Sequence, residues 1–118
     1  MKRRAVAYAP LGLWAAAVLV VGSLQLGRSP LPSGSDKAAH FIMYGVGGAL
    51  AALAGRLSGT SGWAGLAFVA LVGAVDELHQ RVVPGRHGDL EDWVADMAGA
   101  LVFYILVRRL PEGRSGRG

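Results

Sequence analysis

Four long apolar segments, separated by short polar stretches, run through this sequence. The apolar residues form near-continuous runs and do not alternate with polar ones. These runs extend over about residues 5–26, 37–55, 63–80 and 92–107. Because an α-helix rises 1.5 Å per residue, about 20 apolar residues cross the hydrocarbon layer of a membrane. The pattern therefore predicts an all-α polytopic membrane protein, a bundle of four transmembrane helices.

The length of the chain and its turn signals predict the domain organisation. A chain of 118 residues is of the size of one domain. The connecting stretches 28–36, 56–62 and 81–91 contain the Gly, Pro and Ser residues that are typical of turns. We therefore expect one membrane domain over residues 1–109 and a disordered tail over 110–118.

The composition excludes several classes of protein. Hydrophobic residues make up 53% of the chain and charged residues 17%, whereas a soluble domain of this size needs a charged surface. The net charge of +4 comes mainly from short basic flanks and not from a basic helix face with interleaved aromatic residues, so a nucleic-acid partner is not expected. The chain has no cysteine, which excludes disulfides, thiolate metal sites and thiol nucleophiles.

The distribution of Lys and Arg predicts the orientation of the helices. With the N-terminus inside, eight of the twelve cations lie on the cytoplasmic side and four on the outer side. The positive-inside rule therefore predicts that both termini, including the tail, are cytoplasmic. The first apolar segment is longer than the core of about 7–15 residues in a signal peptide, so we expect it to be retained as a membrane span.

Polar residues gather at one end of the predicted bundle. The start of the second segment, the end of the third and the start of the fourth all map to the outer side. Seven of the eight acidic residues lie on this side; only Glu112 does not. The candidate pocket residues are Asp36, Lys37, His40, Tyr44, Asp76, Glu77, Gln80, Arg86, Asp92 and Asp96. An ionisable side chain that faces lipid near the bilayer centre costs about 2.5–3.5 kcal/mol, so we expect these side chains to turn toward one another.

Helical spacing places most of these residues on shared faces. The three polar stripes are Lys37, His40 and Tyr44 on the second helix; Gly73, Asp76, Glu77 and Gln80 on the third; and Asp92, Asp96 and Gly99 on the fourth. Their convergence predicts one pocket between three helices. Small residues let helices approach closely in lipid, which makes Gly47, Gly48 and Gly55 candidate contact points.

An ordered set of motifs over roughly residues 36–100 resembles the VanZ-like family. The motifs are Asp36-Lys37-x-x-His40-Phe41-x-x-Tyr44, Asp76-Glu77-x-x-Gln80, Pro84-Gly85-Arg86 and Asp92-x-x-x-Asp96-x-x-Gly99. The resemblance implies a multi-pass protein of the bacterial inner membrane, whose namesake is associated with low-level resistance to teicoplanin. Many relatives have Asn at the position where this chain has the titratable Asp96.

The function that we favour from these residues is the binding or processing of an envelope component, such as a lipid-linked or cell-wall precursor or a glycopeptide-like ligand. Lys37 and Arg86 would hold a phosphate or carboxylate, and the carboxylates would bind amines, hydroxyls or a cation. Each residue alone has a structural alternative, such as a salt bridge between Arg86 and Asp92. As a group they favour a site, because charges within a membrane are usually functional.

Three alternatives remain open at the level of sequence. The first is a metal-assisted hydrolase or transferase, in which the four carboxylates of Asp76, Glu77, Asp92 and Asp96 bind Mg²⁺ or Ca²⁺ and His40 or a carboxyl acts as the general base. The second is a proton-coupled small transporter. The third is a structural membrane subunit, because helices rich in Gly and Ala favour association, including a homo-oligomer. The sequence assigns no catalytic residue and no metal ligand.

Overall fold

Four α-helices make up the fold. The computed structural model describes residues 2–23, 35–82 and 90–111, and this part of the chain has no β-strand. The helices are α1 (Lys2–Ser23), α2 (Ser35–Ser58), α3 (Trp63–Val82) and α4 (Leu90–Arg108). The all-α class and the number of helices are therefore confirmed. Helices α2, α3 and α4 extend up to three residues beyond the predicted apolar segments, because polar residues still form helical hydrogen bonds where the apolar run stops.

A tight turn joins α2 to α3 and makes the two helices antiparallel. Gly59 and Gly62 have φ angles of 75° and 82°, a left-handed conformation that only glycine adopts at little cost. The Thr60 N–H donates a hydrogen bond of 2.7 Å to the carbonyl of Gly55. The turn lies so close to α2 that a Cβ on Gly55 would be 2.5 Å from the nitrogen of Gly62. This turn therefore fixes one end of the bundle.

The first turns of α1 and the last turns of α4 lie at this same end. The hydroxyl groups of Tyr8 and Thr60 are 3.3 Å apart, and the Tyr104 hydroxyl donates a hydrogen bond of 2.7 Å to the carbonyl of Ser61. The start of α2, the end of α3 and the start of α4 consequently form the opposite end. This opposite end holds those predicted polar side chains that the structure describes.

Arg56 fastens the C-terminal end of α4 to α2. Its guanidinium donates hydrogen bonds of 2.6 Å and 2.8 Å to the carbonyls of Val107 and Leu110. Carbonyls at a helix C-terminus have no partner within the helix and carry partial negative charge, so a guanidinium both satisfies them and complements the helix dipole. The single cation near the end of α2 thus has a structural task.

Helices α2 and α4 approach each other closely enough to bring their backbones into contact. A Cβ on Gly48 would overlap the carbonyl of Ala100, and a Cβ on Gly99 would overlap the carbonyl of Phe41. Gly47 faces the indole ring of Trp14 on α1. Together with the contact between Gly55 and the turn, these contacts confirm that the glycines predicted at helix interfaces lie there. Small residues are what allow such an approach.

The outer surface of the bundle is apolar on every helix. Leu13 on α1, Ile42 on α2, Leu71 on α3 and Leu106 on α4 are 72%, 57%, 60% and 58% exposed. The interior, by contrast, contains the side chains of four acidic residues. A soluble helical protein keeps its charged side chains on the surface, whereas here four carboxylates are buried beside an apolar core and large apolar side chains are exposed on every helix.

One helix meets the length and hydropathy of a membrane span by itself. The segment Ala38–Ser58 of α2 has a mean hydropathy of 1.4, and half of it is buried within the bundle. Ala5–Val20 on α1 is also apolar but shorter. Among the described residues one helix is therefore long and apolar enough to cross a membrane, and four membrane spans stay a prediction.

Candidate functional site

A contact between His40 and Asp96 joins α2 to α4 at the polar end of the bundle. Nδ1 of His40 and Oδ1 of Asp96 are 2.7 Å apart. Asp96 is 2% exposed, and it lies one turn before Gly99, where the two backbones touch. The close packing of glycine on Phe41 therefore brings the His40 ring within reach of a buried carboxylate on the neighbouring helix.

Tyr44 lies directly beneath His40 and connects α2 to α3. The two rings are four residues apart in sequence and nearly parallel, with centroids 6.5 Å apart. Tyr44 is completely buried, and its hydroxyl donates a hydrogen bond of 3.4 Å to Oδ2 of Asp76. Tyr44 thus forms the floor of the site, and its side chain is not open to a ligand from solution.

Helix α1 also supports the site, through Trp14, which the sequence analysis did not single out. The Trp14 ring meets the edge of Tyr44 at a centroid distance of 5.3 Å, and its Nε1–H donates a hydrogen bond of 3.0 Å to the carbonyl of Met43. A tryptophan within an apolar segment needs a partner for its N–H, which is the signal that could have drawn attention to it. Trp14 fixes the position of Tyr44 from behind.

Two further carboxylates are buried close by. Glu77 on α3 is 9% exposed, and its Oε2 lies 3.8 Å from Nε of Arg81. Asp92 lies one turn before Asp96 on the same face of α4 and is 7% exposed. Glu77, Asp92 and Asp76 all have interaction partners, as buried carboxylates must. The site therefore contains four buried carboxylates on two helices.

Electrostatic interactions link these groups across the three helices. The carboxylates of Asp76, Glu77 and Asp96 all lie within electrostatic range of the Tyr44 hydroxyl. Asp76 and Asp92 are in turn within range of Asp96. The structure thus brings together six of the ten predicted pocket residues, namely His40, Tyr44, Asp76, Glu77, Asp92 and Asp96.

The side chains of the other four predicted residues lie outside what the structure describes. Asp36, Lys37 and Gln80 are on helices α2 and α3, but their side chains are not among the described ones, and Arg86 lies between the described ranges. Their places in the pocket stay predictions. Among the described residues, no group of three or more His, Asp or Glu side chains is arranged to hold a metal ion. A site for Mg²⁺ or Ca²⁺ likewise stays a prediction.

The arrangement has defined chemical capabilities. Ionised carboxylates accept hydrogen bonds from hydroxyl, amine and amide groups, and they also bind cations. An imidazole that is oriented by a carboxylate can accept or donate a proton near neutral pH. The fold and the site together define a small helical bundle with a layer of buried acidic residues at one end.

Comparison with known families places the chain within one of them. The family model described as VanZ/LLP1 matches residues 6–111, which is nearly the whole chain. The protein therefore belongs to the VanZ/LLP1 family, and the resemblance found in its motifs is confirmed. Family membership and the apolar helix α2 together indicate a membrane protein. Neither the curated proteins nor the solved structures include a match to this chain.

Proposed function

We propose that this protein crosses the bacterial inner membrane four times and that its polar end binds or processes an envelope component at the outer side. The observation that carries the proposal is the combination of buried carboxylates with an exposed apolar surface. Four carboxylates are buried between the helices, while each helix exposes large apolar side chains. An apolar outer surface is favourable in lipid and unfavourable in water, and buried carboxylates avoid the cost of facing lipid.

The helix lengths support four spans. The four helices have 22, 24, 20 and 19 residues. At 1.5 Å per residue the shortest is about 28 Å long, which is close to the thickness of the hydrocarbon layer. The hydrogen bonds of Tyr8 and Tyr104 with the turn between α2 and α3 support a common side for both termini.

The buried groups indicate the chemistry of the ligand. Burying four carboxylates is unfavourable for stability alone, which favours a role in binding. Carboxylates and an imidazole are suited to a headgroup that presents hydroxyl or amine groups, such as a sugar or an amino sugar. Lys37 and Arg86, if they lie where the sequence predicts, would add contacts to a phosphate. A link to teicoplanin resistance stays a prediction from the family resemblance.

Topology can be tested with single cysteines, because the chain has none of its own. Leu90→Cys places a thiol at the exposed first residue of α4, and Ser61→Cys places one in the exposed turn at the other end. In intact cells we expect a membrane-impermeant maleimide to label position 90 and to leave position 61 unlabelled until the membrane is opened. Labelling of position 61 alone in intact cells would contradict the proposal.

Binding can be tested by native mass spectrometry of the protein extracted together with its membrane lipids. We expect a lipid-linked ligand to be retained by the original protein and to be reduced about tenfold in Asp92→Asn, because a hydrogen bond to a buried charge contributes about 1.5–3 kcal/mol. Glu91→Gln is the matched control, since Glu91 precedes Asp92 but is exposed. Equal retention in both variants, or no ligand in any sample, would count against the proposal.

A further inference from the structure

We infer that His40 is the proton-accepting residue of the site and that Asp96 is the residue that positions it. This inference rests on the proposed function and gives it a chemical step. It is carried by the contact between Nδ1 of His40 and Oδ1 of Asp96 at 2.7 Å, and by the place of this pair in the bundle.

The contact determines which nitrogen of His40 can accept a proton. When Asp96 is ionised it has no hydrogen to donate, so Nδ1 carries the proton in the 2.7 Å contact between the two side chains. In the neutral ring the lone pair then lies on Nε2. A carboxylate that fixes the tautomer and orientation of a histidine in this way also stabilises the imidazolium that forms when Nε2 takes up a proton.

The two side chains of the pair are buried to different extents, which shows which of them lies nearer the end of the bundle. The side chain of Asp96 is 3% exposed and that of His40 is 13% exposed. Below the ring, Tyr44 is completely buried and stacks parallel to it. The carboxylate therefore lies at the inner end of the pair and the imidazole at the outer end, which is the order required for a base that serves a ligand at the bundle end.

The step is a proton transfer from a hydroxyl group of the ligand, or from a water molecule beside it, to Nε2 of His40. The O–H bond breaks, its electron pair stays on the oxygen, and a new N–H bond forms on the ring. The imidazolium then returns the proton to an oxygen of the ligand, either in the next step of the reaction or in the reverse of this transfer. His40 is unchanged at the end, and no oxidant or reductant is needed.

Diethyl pyrocarbonate is a suitable probe, because it acylates unprotonated histidine nitrogens. The full chain in lipid nanodiscs would be treated with it and digested, and the modification of each histidine would be measured by mass spectrometry. His79 and His87 are internal controls in the same sample. We expect His40 to be modified in the original protein and to react about tenfold more slowly in Asp96→Asn, because the amide can donate to Nδ1 and leave the proton on Nε2.

Two results would overturn the inference: a His40 that stays unmodified while His79 and His87 react, or a His40 that reacts equally fast with and without Asp96. If Asp96→Asn does not fold, the ¹⁵N resonances of His40 in the unsubstituted protein decide. A neutral ring with its proton on Nδ1 supports the inference, and one with its proton on Nε2 refutes it. Neither readout needs the ligand, so failure of the lipid-retention experiment is distinguishable from failure of the proton acceptor.

Discussion

Gly48→Ala should lower the free energy of unfolding by about 3 kcal/mol, since overpacking against rigid backbone is among the more damaging core changes. The added Cβ would overlap the carbonyl of Ala100, and backbone cannot rotate away as a side chain can. Gly99→Ala should have a similar effect, because its Cβ would overlap the carbonyl of Phe41. Both substitutions force α2 and α4 apart.

Gly12→Ala is the matched control for these substitutions. Gly12 lies inside α1, and a Cβ built on it meets no atom within 4 Å. Alanine in an open helical position should be neutral or stabilising by about 0.5–1 kcal/mol, because glycine loses more backbone freedom on folding. Unfolding in mixed micelles with increasing SDS, followed by circular dichroism, measures all three variants. Similar stabilities for Gly12→Ala and Gly48→Ala would show that α2 and α4 do not pack as described.

His40→Leu should also destabilise the fold by about 3 kcal/mol, because it leaves a buried carboxylate without its partner. Asp96 is 2% exposed and cannot turn to water without disturbing the contact between α2 and α4. The same unfolding assay measures this loss. The substitution removes the hydrogen-bonding ring of the partner but keeps an apolar side chain of moderate size.

A double-mutant cycle separates the pair from other effects of the substitution. The double variant His40→Leu with Asp96→Leu has no buried charge at this position, so it should be more stable than the sum of the two single losses predicts, by about 1–3 kcal/mol. Leu101, an exposed residue on α4, provides a control in Leu101→Ala, which should be additive with His40→Leu. Additivity for the pair itself would mean that the imidazole and the carboxylate do not interact.

The helices and their order were predictable because the length of an apolar segment can be read directly from consecutive residues. The stretches that join the apolar segments contain Gly, Pro or Ser, and no competing strand pattern exists. The faces of the site were predictable for the same reason. The spacing of three or four residues puts His40 above Tyr44 and Asp92 above Asp96 on any helix, and the structure buries three of these four residues.

The pairing between helices was not predictable from spacing. Periodicity fixes which side of a helix a residue occupies, but not how the neighbouring helix is rotated or shifted along its axis. That His40 meets Asp96 depends on the contacts of Gly48 and Gly99, which set the register of α2 and α4. The contact between Tyr44 and Asp76 depends in the same way on how α3 packs against α2. The role of Trp14 was missed because a tryptophan in an apolar segment has the same hydropathy whether it faces lipid or protein.

The helices are packed unequally, so some of the contacts between them are easier to separate than others. Helices α2 and α4 meet backbone against backbone, whereas Gly73 of α3 faces the ends of the Met97 and Trp93 side chains, at 3.1 Å and 3.3 Å from a Cβ. Rotation of flexible side chains requires far less energy than separation of two main chains. A movement that widens the polar end of the bundle would therefore cost less between α3 and α4 than between α2 and α4.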